Sequence, residues 1–419
     1  MKYHAEPKRD GGGTRTLLFT LILMVGFGPV SLCANEVQLF LLAGQSNMVS
    51  RNSNADLPPP MDEPLPAVKI WSVYLNNWEN LQGGFGKTIN NFGPEVSFGH
   101  RLAEELPGDL RIVKVADGGT TLAEDWNPVT PSARRMYPLL MHHTLAAIAN
   151  LEAAGHTVKV AGMMWMQGES DTLNEWMADA YEDNLAAFIA RVRSDMATPN
   201  MPFIIGRIHN KLMAQAPYVE LVRTAQVNVA QGDPWADWID TDTFPLQLDL
   251  IHYNSSGTIE LGQAFAEAYL EMTGFKINPG LNDHWYNPAT TGQGLYITVF
   301  PDMGKVTLTM FTYDTLLPPV EATANLGDPS QRWLNALGNY SGNQAVLNVS
   351  FDFDGIFDTS EETTKVRGYG TIILTFDSCN SGTIEYDIPS IDRTGIVPIQ
   401  RIASDNIPIC EAFASEQTN

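Results

Sequence analysis

Basic residues are scarce in this sequence. Among its 419 residues, 25 are Lys or Arg and 48 are Asp or Glu, which gives a formal net charge of −23 at pH 7. A surface of this sign repels phosphate backbones, which argues against a nucleic-acid partner. Charged residues of both signs make up only 17 % of the chain, against 44 % hydrophobic residues. This balance argues against a disordered or coiled-coil protein and is typical of globular domains acting on a neutral or cationic ligand.

Long apolar runs are also lacking. The run from Leu17 to Phe27 follows four basic residues and precedes small residues that end at Ala34. A bilayer-spanning helix needs about 20 apolar residues, so this run is too short. The layout predicts a cleavable secretory signal over residues 1–34 and no membrane span after its removal. The alternatives are a signal anchor and a lipoprotein signal ending at Cys33, which Leu32 argues against.

Cysteine is rare. The chain has three cysteines, and removal of the signal leaves Cys379 and Cys410. Two cysteines in an exported chain predict one disulfide, which would close a loop of about 30 residues. The alternative is a pair of buried free thiols.

The composition changes near residue 276. Residues 35–276 alternate helical periods with apolar runs, which predicts an α/β domain with a parallel sheet covered on both sides. The apolar runs lie at 37–43, 111–116, 158–166, 202–208 and 235–239. Residues 277–419 contain short β-like runs separated by turns, which predicts an all-β domain of the sandwich type. Those runs lie at 294–300, 305–313, 345–351, 371–376 and 382–388.

The β domain offers two weak signals for ligands. Its aromatic residues could form a sugar-stacking face, although core packing is the commoner role. They are Trp285, Tyr286, Tyr296, Tyr313 and Trp333. Asp352, Asp354 and Asp358 have a spacing loosely suited to calcium, but the complete twelve-residue calcium loop is absent.

Four polar segments carry the chemistry. They are GQSNM at 44–48, GGTT at 118–121, WMQGESD at 165–171 and DLIHYN at 249–254. Taken singly, each has an ordinary structural explanation: a helix cap, a glycine turn, a solvated loop and a structural histidine. The first three follow predicted strands, and the fourth precedes the last helix, so all can reach one edge of the sheet. Together they supply a nucleophile, N–H donors, a base and its orienting carboxylate.

In this order, over about residues 37–275, these segments resemble the SGNH-hydrolase superfamily. Within it they are similar to the sialate O-acetylesterase-type domain and to carbohydrate esterase family 6. The resemblance implies a flavodoxin-like α/β/α sandwich and O-deacetylation of carbohydrates. It implies Ser46 as nucleophile, His252 as base and Asp249 as the partner of His252, with no metal or other cofactor.

The resemblance also implies an oxyanion hole made of the N–H groups of Ser46 and Gly119 and the side-chain amide of Gln167. Supporting roles are expected for the residues around these groups, namely Gln45, Asn47, Gly118, Glu169, Asp171 and Arg223. Two positions depart from the family pattern. Leu250 replaces the glycine of a D-G-x-H turn, and Asp117 stands where a small or apolar residue is usual.

These observations predict a secreted or periplasmic serine esterase that removes acetyl groups from a carbohydrate such as acetylxylan or acetylated sialic acid. Two alternatives stay open. One is a non-catalytic carbohydrate-binding surface protein with a decayed esterase domain. The other is an esterase for lipid or aryl esters, against which the absence of a G-x-S-x-G elbow counts mildly.

Overall fold

The computed structural model describes residues 36–417 apart from Gln215, Asn325, Asp328 and Glu361. The predicted signal, residues 1–34, lies outside the described residues. Within the described part of the chain, no helix combines the length and the apolar character that a bilayer crossing requires.

A mixed α/β layer structure occupies the described residues up to 273. Its strands are β1 (Glu36–Gly44), β2 (Asn52–Ser53), β3 (Leu65–Ser72), β4 (Asn77–Leu81), β5 (Asn91–Phe92), β6 (Asp109–Ala116), β7 (Thr157–Met166), β8 (Phe203–Gly206) and β9 (Ala236–Ile239). Its helices are α1 (Ser46–Val49), α2 (Glu95–Glu105), α3 (Met136–Ala153), α4 (Glu175–Asp179), α5 (Tyr181–Asp195), α6 (Val219–Gln231) and α7 (Ser255–Thr273).

Seven of these strands form one sheet in the order β4-β3-β6-β1-β7-β8-β9, and β2 pairs separately with β5. All neighbours in the sheet are parallel except the edge strand β4, which pairs antiparallel with β3. Helices pack on both faces. Phe40 of β1 contacts Phe98 of α2 and Tyr269 of α7, whereas Trp165 of β7 contacts Phe188 of α5. The predicted α/β/α class is confirmed.

The central strands bring three of the polar segments to one edge. Gly44, the last residue of β1, lies in register with Ala116 on β6 and with Met166 on β7. The chain therefore leaves β1, β6 and β7 at the same level, as expected for the carboxyl ends of adjacent parallel strands.

Helices α4 and α5 are separate elements. Trp176 lies in the short helix α4 and is 52 % exposed, whereas Leu185 and Phe188 on α5 are buried. Helix α4 ends at Asp179, and α5 starts after Ala180, so the two helices do not share one continuous face.

The second half of the chain is all-β, as predicted, but its strands close into a barrel and do not form a two-sheet sandwich. The barrel strands are β10 (Asp283–Tyr286), β11 (Gly294–Phe300), β12 (Lys305–Tyr313), β13 (Gln331–Ser341), β14 (Gln344–Phe353), β15 (Thr364–Phe376), β16 (Ser381–Ile388) and β17 (Arg393–Arg401). Each pairs antiparallel with its chain neighbour, and β17 also pairs with β10, which completes the closure. The final helix is α8 (Ile407–Gln417).

One end of the barrel is plugged. Arg401 is buried there, donates to Asp283 and to the carbonyl oxygens of Gly280 and Cys379, and stacks over the ring of Trp285 at 4.8 Å. The Cys379–Cys410 disulfide is present in the structure and joins α8 to this end.

The aromatic residues of the β domain divide between its core and its surface. Trp285 is fully buried in the core, but Tyr296, Tyr313 and Trp333 are 43–47 % exposed, so core packing explains only part of the aromatic set. Among the described residues, no group of three or more acidic, His or Cys side chains is arranged to hold a metal ion.

Candidate active site

Ser46 lies at a sharp turn after β1. A Cβ at Gly44 would lie 1.9 Å from the carbonyl oxygen of Met166, so only glycine allows β1 to lie this close to the end of β7. The N–H of Gln45 donates to that same carbonyl oxygen at 2.8 Å. Helix α1 then begins at Ser46, whose own N–H donates to no described residue.

The DLIH segment forms a tight turn around its carboxylate. Oδ1 of Asp249 accepts from the N–H groups of Ile251 and His252, both at 3.0 Å, and Oδ2 lies 2.7 Å from Nδ1 of His252. Leu250 adopts a φ of 59°, the left-handed conformation that a glycine would take without strain. The turn of the family pattern is therefore kept despite the leucine.

The carboxylate of Asp249 is held in its charged form. Partial burial raises the pKa of Asp249, but the hydrogen bonds from the ring and N–H of His252 and from the N–H of Ile251 outweigh it, and the net pKa lies below its ordinary value. An ionised Asp249 accepts a hydrogen bond from Nδ1–H of His252, and in that tautomer the lone pair of the ring lies on Nε2.

Ser46, Asp249 and His252 line one cleft of about 120 Å³. Gly118 lines the same cleft, and an added Cβ there would lie 3.6 Å from the Cβ of Ser46. The remaining lining residues are Asn47, Val49, Ser50, Arg51, Lys87, Gln247 and Tyr253. The structure thus brings together residues from three of the four predicted segments.

The two glycines of GGTT differ in their N–H groups. The N–H of Gly118 donates to Asp117 Oδ1 at 2.9 Å, so the unusual aspartate occupies that donor. The N–H of Gly119 donates to no acceptor in the described part of the chain, and Gly119 has a φ of 71°. Gly119, the predicted donor, does not line the cleft, whereas its neighbour does.

Gln167 is not in the cleft. Its side chain is fully buried, and Nε2 lies 2.6 Å from Asp171 Oδ2, 3.0 Å from the carbonyl oxygen of Thr120 and 3.3 Å from Gln45 Oε1. Two amide hydrogens cannot serve these partners and an oxyanion as well. The predicted oxyanion role of Gln167 does not agree with this arrangement.

Gln167 and Asp171 instead connect the loops. The carboxylate of Asp171 accepts from the N–H groups of Leu122 and Ala123, just after GGTT, and from Gln167. Burial raises the pKa of Asp171 to about 6, against the lowering effect of these hydrogen bonds. Gln45 adds a third connection, because its Oε1 accepts from the N–H of Ser170 at 3.2 Å.

Asn47 holds the turn between Asp249 and Tyr253 in place by hydrogen bonds. Its Nδ2 donates to Glu169 Oε1 at 2.6 Å and to the carbonyl oxygen of Ile251 at 3.0 Å, and its Oδ1 accepts from the N–H of Tyr253. Burial raises the pKa of Glu169, and its other oxygen, Oε2, is buried with no partner among the described residues.

Arg223 has a supporting place away from the cleft. Two of its guanidinium nitrogens bind the carboxylate of Asp242, each at 2.8 Å, and it also donates to the carbonyl oxygen of Ile208. It is buried and does not line the cleft. Trp126, shortly after GGTT, is fully buried and packs against Trp165 with ring centroids 5.0 Å apart.

Sequence reasoning missed a buried ion pair behind the cleft. Lys114 of β6 donates to Glu95 at 2.5 Å and to the carbonyl oxygens of Phe85 and Val49, and Val49 lines the cleft. A lysine within the apolar run RIVKVA was the available signal, since a buried cation needs a partner.

The profile of one protein family, "carbohydrate esterase, sialic acid-specific acetylesterase", matches residues 36–271. The chain belongs to this family. The match covers more than half of the sequence and contains every residue of the cleft.

Individual relatives have low sequence identity to this chain. A probable carbohydrate esterase of Arabidopsis thaliana is 26 % identical over 252 residues, which are 56 % of this chain and 90 % of the relative. A solved Arabidopsis thaliana structure covers 57 % of this chain and 98 % of its own, at 24 % identity and a TM-score of 0.47. A carbohydrate acetylesterase from Xanthomonas citri covers 86 % of this chain and 78 % of its own, at 14 % identity and a TM-score of 0.43.

Proposed function

We propose that this chain is a secreted serine esterase that removes O-acetyl groups from carbohydrates. The observation that carries the proposal is the shared cleft of Ser46, His252 and Asp249, with Nδ1 of His252 2.7 Å from the carboxylate. A serine, a histidine and a carboxylate that binds the histidine are the three side chains of a hydrolytic triad, in the roles of nucleophile, base and orienting group. Family membership supports the carbohydrate ester class.

In the proposed reaction, Oγ of Ser46 attacks the carbonyl carbon of the acetyl ester while Nε2 of His252 takes the hydroxyl proton. The tetrahedral intermediate then expels the sugar oxygen, which leaves with that proton. Water, deprotonated by His252, attacks the acetyl-serine and releases acetate and free Ser46. Asp249 holds the ring tautomer and stabilises the imidazolium at both stages.

The negative oxygen of the intermediate requires N–H donors. The N–H of Ser46, which lines the cleft, and the N–H of Gly119, next to the lining residue Gly118, are the candidates, because neither donates to another described residue. Each such donor can contribute roughly 3 kcal/mol in the transition state. The small cleft, about 120 Å³, favours a short acyl group such as acetyl.

An arginine at the cleft favours an acidic sugar. Arg51 is exposed and forms no ion pair with a described residue, and Lys87 lies 3.6 Å from Asp117. A carboxylate on the sugar could pair with Arg51. This favours acetylated sialic acid over neutral acetylxylan as the substrate.

Export and domain organisation belong to the proposal. The Cys379–Cys410 disulfide supports an oxidising compartment, in agreement with the signal predicted over residues 1–34. The separate hydrophobic cores of the α/β layer and the barrel support two domains, 35–276 and 277–419. The esterase chemistry is assigned to the first of them.

The decisive experiment measures acetate release by Ser46→Ala from acetylxylan and from O-acetylated sialic acid. We expect loss of nearly all activity with an unchanged circular dichroism spectrum, and full activity in Ser194→Ala, an exposed serine on α5. Arg51→Gln should lower kcat/KM on the sialic acid ester and spare acetylxylan. A folded Ser46→Ala protein with normal acetate release would refute the serine mechanism. Binding of acetylated glycan without turnover by the unaltered protein would support the non-catalytic alternative.

A further inference from the structure

The two ends of the β-barrel differ in filling. At the plugged end, near Arg401, the interior is packed with buried side chains such as Trp285, Leu374 and Phe376. The other end holds a cavity of about 590 Å³. This volume lies within the range of small-molecule sites, and an eight-stranded barrel is wide enough to hold one small ligand.

The cavity has an apolar floor and aromatic walls. Its floor is made of aliphatic side chains that alternate with outward-facing residues along their strands, namely Leu295, Leu334, Ile372, Ile384, Val397 and Ile399. Phe351, Tyr369 and Tyr386 form the walls, and the rings of Phe351 and Tyr369 meet edge to face at 4.6 Å. Such a surface binds alkyl or aryl groups by removing them from water.

The mouth of the cavity carries an uncompensated positive charge. Arg332 lines the mouth, but it pairs with Asp314 at 2.7 Å. Arg393 also lines it and forms no ion pair with any described residue. This is unusual for the surroundings, because residues 277–419 contain 17 acidic and six basic side chains. An arginine without a partner at the rim of an apolar cavity is suited to an anionic head group.

We propose that the barrel is a binding module for a small amphipathic anion, with its alkyl or aryl body in the cavity and its carboxylate or similar head on Arg393. A polysaccharide chain fits this site poorly, since the aliphatic floor would leave its hydroxyl groups without hydrogen-bond partners. The site is distinct from the esterase cleft and shares no residue with it.

The test uses two fluorescent probes of nearly the same shape and different charge. 1-Anilinonaphthalene-8-sulfonate has an aryl body and a sulfonate, and N-phenyl-1-naphthylamine lacks the sulfonate. Titration of the full-length protein should give saturable, one-site binding of both, and sodium decanoate should displace both. Arg393→Gln should weaken the sulfonate probe about tenfold and leave the neutral probe unchanged.

Variants that fill the cavity test the proposed binding site independently of Arg393. Ile384→Trp should abolish binding of both probes, and Leu334→Trp provides a second filling variant should the first fail to fold. The control is Ile396→Gln, which alters a 70 % exposed residue on the outer face of the same strand as Arg393. It should leave both affinities unchanged. Absent binding, binding that survives a folded filling variant, or equal loss of both probes in Arg393→Gln would overturn the proposal.

Discussion

The sharpest prediction concerns the two adjacent glycines of GGTT. Gly118 lies outside the left-handed region, so alanine can adopt its backbone conformation, and the new Cβ would lie in ordinary contact, 3.6 Å from the Cβ of Ser46. Gly118→Ala should therefore leave the free energy of unfolding unchanged or raise it by about 0.4–1 kcal/mol, through lower entropy of the unfolded chain.

Activity should respond in the opposite direction. The methyl group would project from the cleft wall beside Ser46, where the ester carbonyl must approach Oγ to within about 3–3.5 Å. A misplacement of about 1 Å at this stage can cost on the order of 100-fold in rate. We expect kcat/KM of Gly118→Ala to fall by about that factor.

Gly119→Ala is the matched control. Its φ of 71° makes alanine strained, at a cost of about 1 kcal/mol, but no atom lies within 4 Å of the added Cβ. The N–H of residue 119 is retained, so activity should stay within a few-fold of the unaltered enzyme while the melting temperature falls by about 2–4 °C.

Hydrolysis of a chromogenic acetate ester, urea unfolding and thermal denaturation of both variants provide the measurements. The expected pattern is a stable, inactive Gly118→Ala and a less stable, active Gly119→Ala. Normal turnover by Gly118→Ala would mean that the substrate does not approach Ser46 along this wall. Loss of activity with equal loss of stability would mean that Gly118 acts on the fold and not on the cleft.

Three further predictions follow from the barrel, the buried acid and the domain boundary. Replacing Cys379 and Cys410 by alanine opens a loop with a sequence separation of 31 residues. The unfolding free energy of the barrel should fall by about 4 kcal/mol, and esterase activity should be unchanged. An unchanged denaturation midpoint of the barrel would contradict this. Burial raises the pKa of Glu169, so protonation of Glu169 stabilises the folded state. This stabilisation is complete below the pKa of Glu169 in the unfolded chain, near 4.5, and is lost as the pH rises through its pKa in the folded protein. Glu169→Gln should remove this loss of stability with rising pH. Urea unfolding of both proteins over a series of pH values tests this, and parallel curves of unfolding free energy against pH would refute it. A protein consisting of residues 35–276 should keep its turnover of a small acetate ester, and loss of that turnover would show that the barrel completes the esterase site.

The strands that are buried on both faces could be predicted from the sequence alone. The runs at β1, β6 and β7 are predominantly apolar because helices cover the sheet on both sides, and their predicted bounds agree with the structure within two residues. Strands that are partly exposed have sequence patterns that are harder to recognise. Strand β4 is the polar segment NWENL, and β17 contains Pro398, so neither pattern predicted a strand.

Local motifs likewise determined the chemistry of the turns. Asp249 and His252 lie three residues apart, and the hydrogen bonds between them form within one turn, so the pair could be proposed from spacing alone. The left-handed Leu250 shows that these hydrogen bonds tolerate a residue that the usual pattern does not contain.

The partners of each polar side chain depend on contacts between segments that are distant in sequence. The amide of Gln167 is used up by Asp171 and Thr120, and Asn47 is committed to Glu169 and Ile251, which are distant in sequence. Alternating strands are also common to sandwiches and barrels, and it is the long-range pairing of β10 with β17 that closes this barrel. The cavity exists because closure leaves one end unfilled, a property of the assembled strands that no single strand encodes.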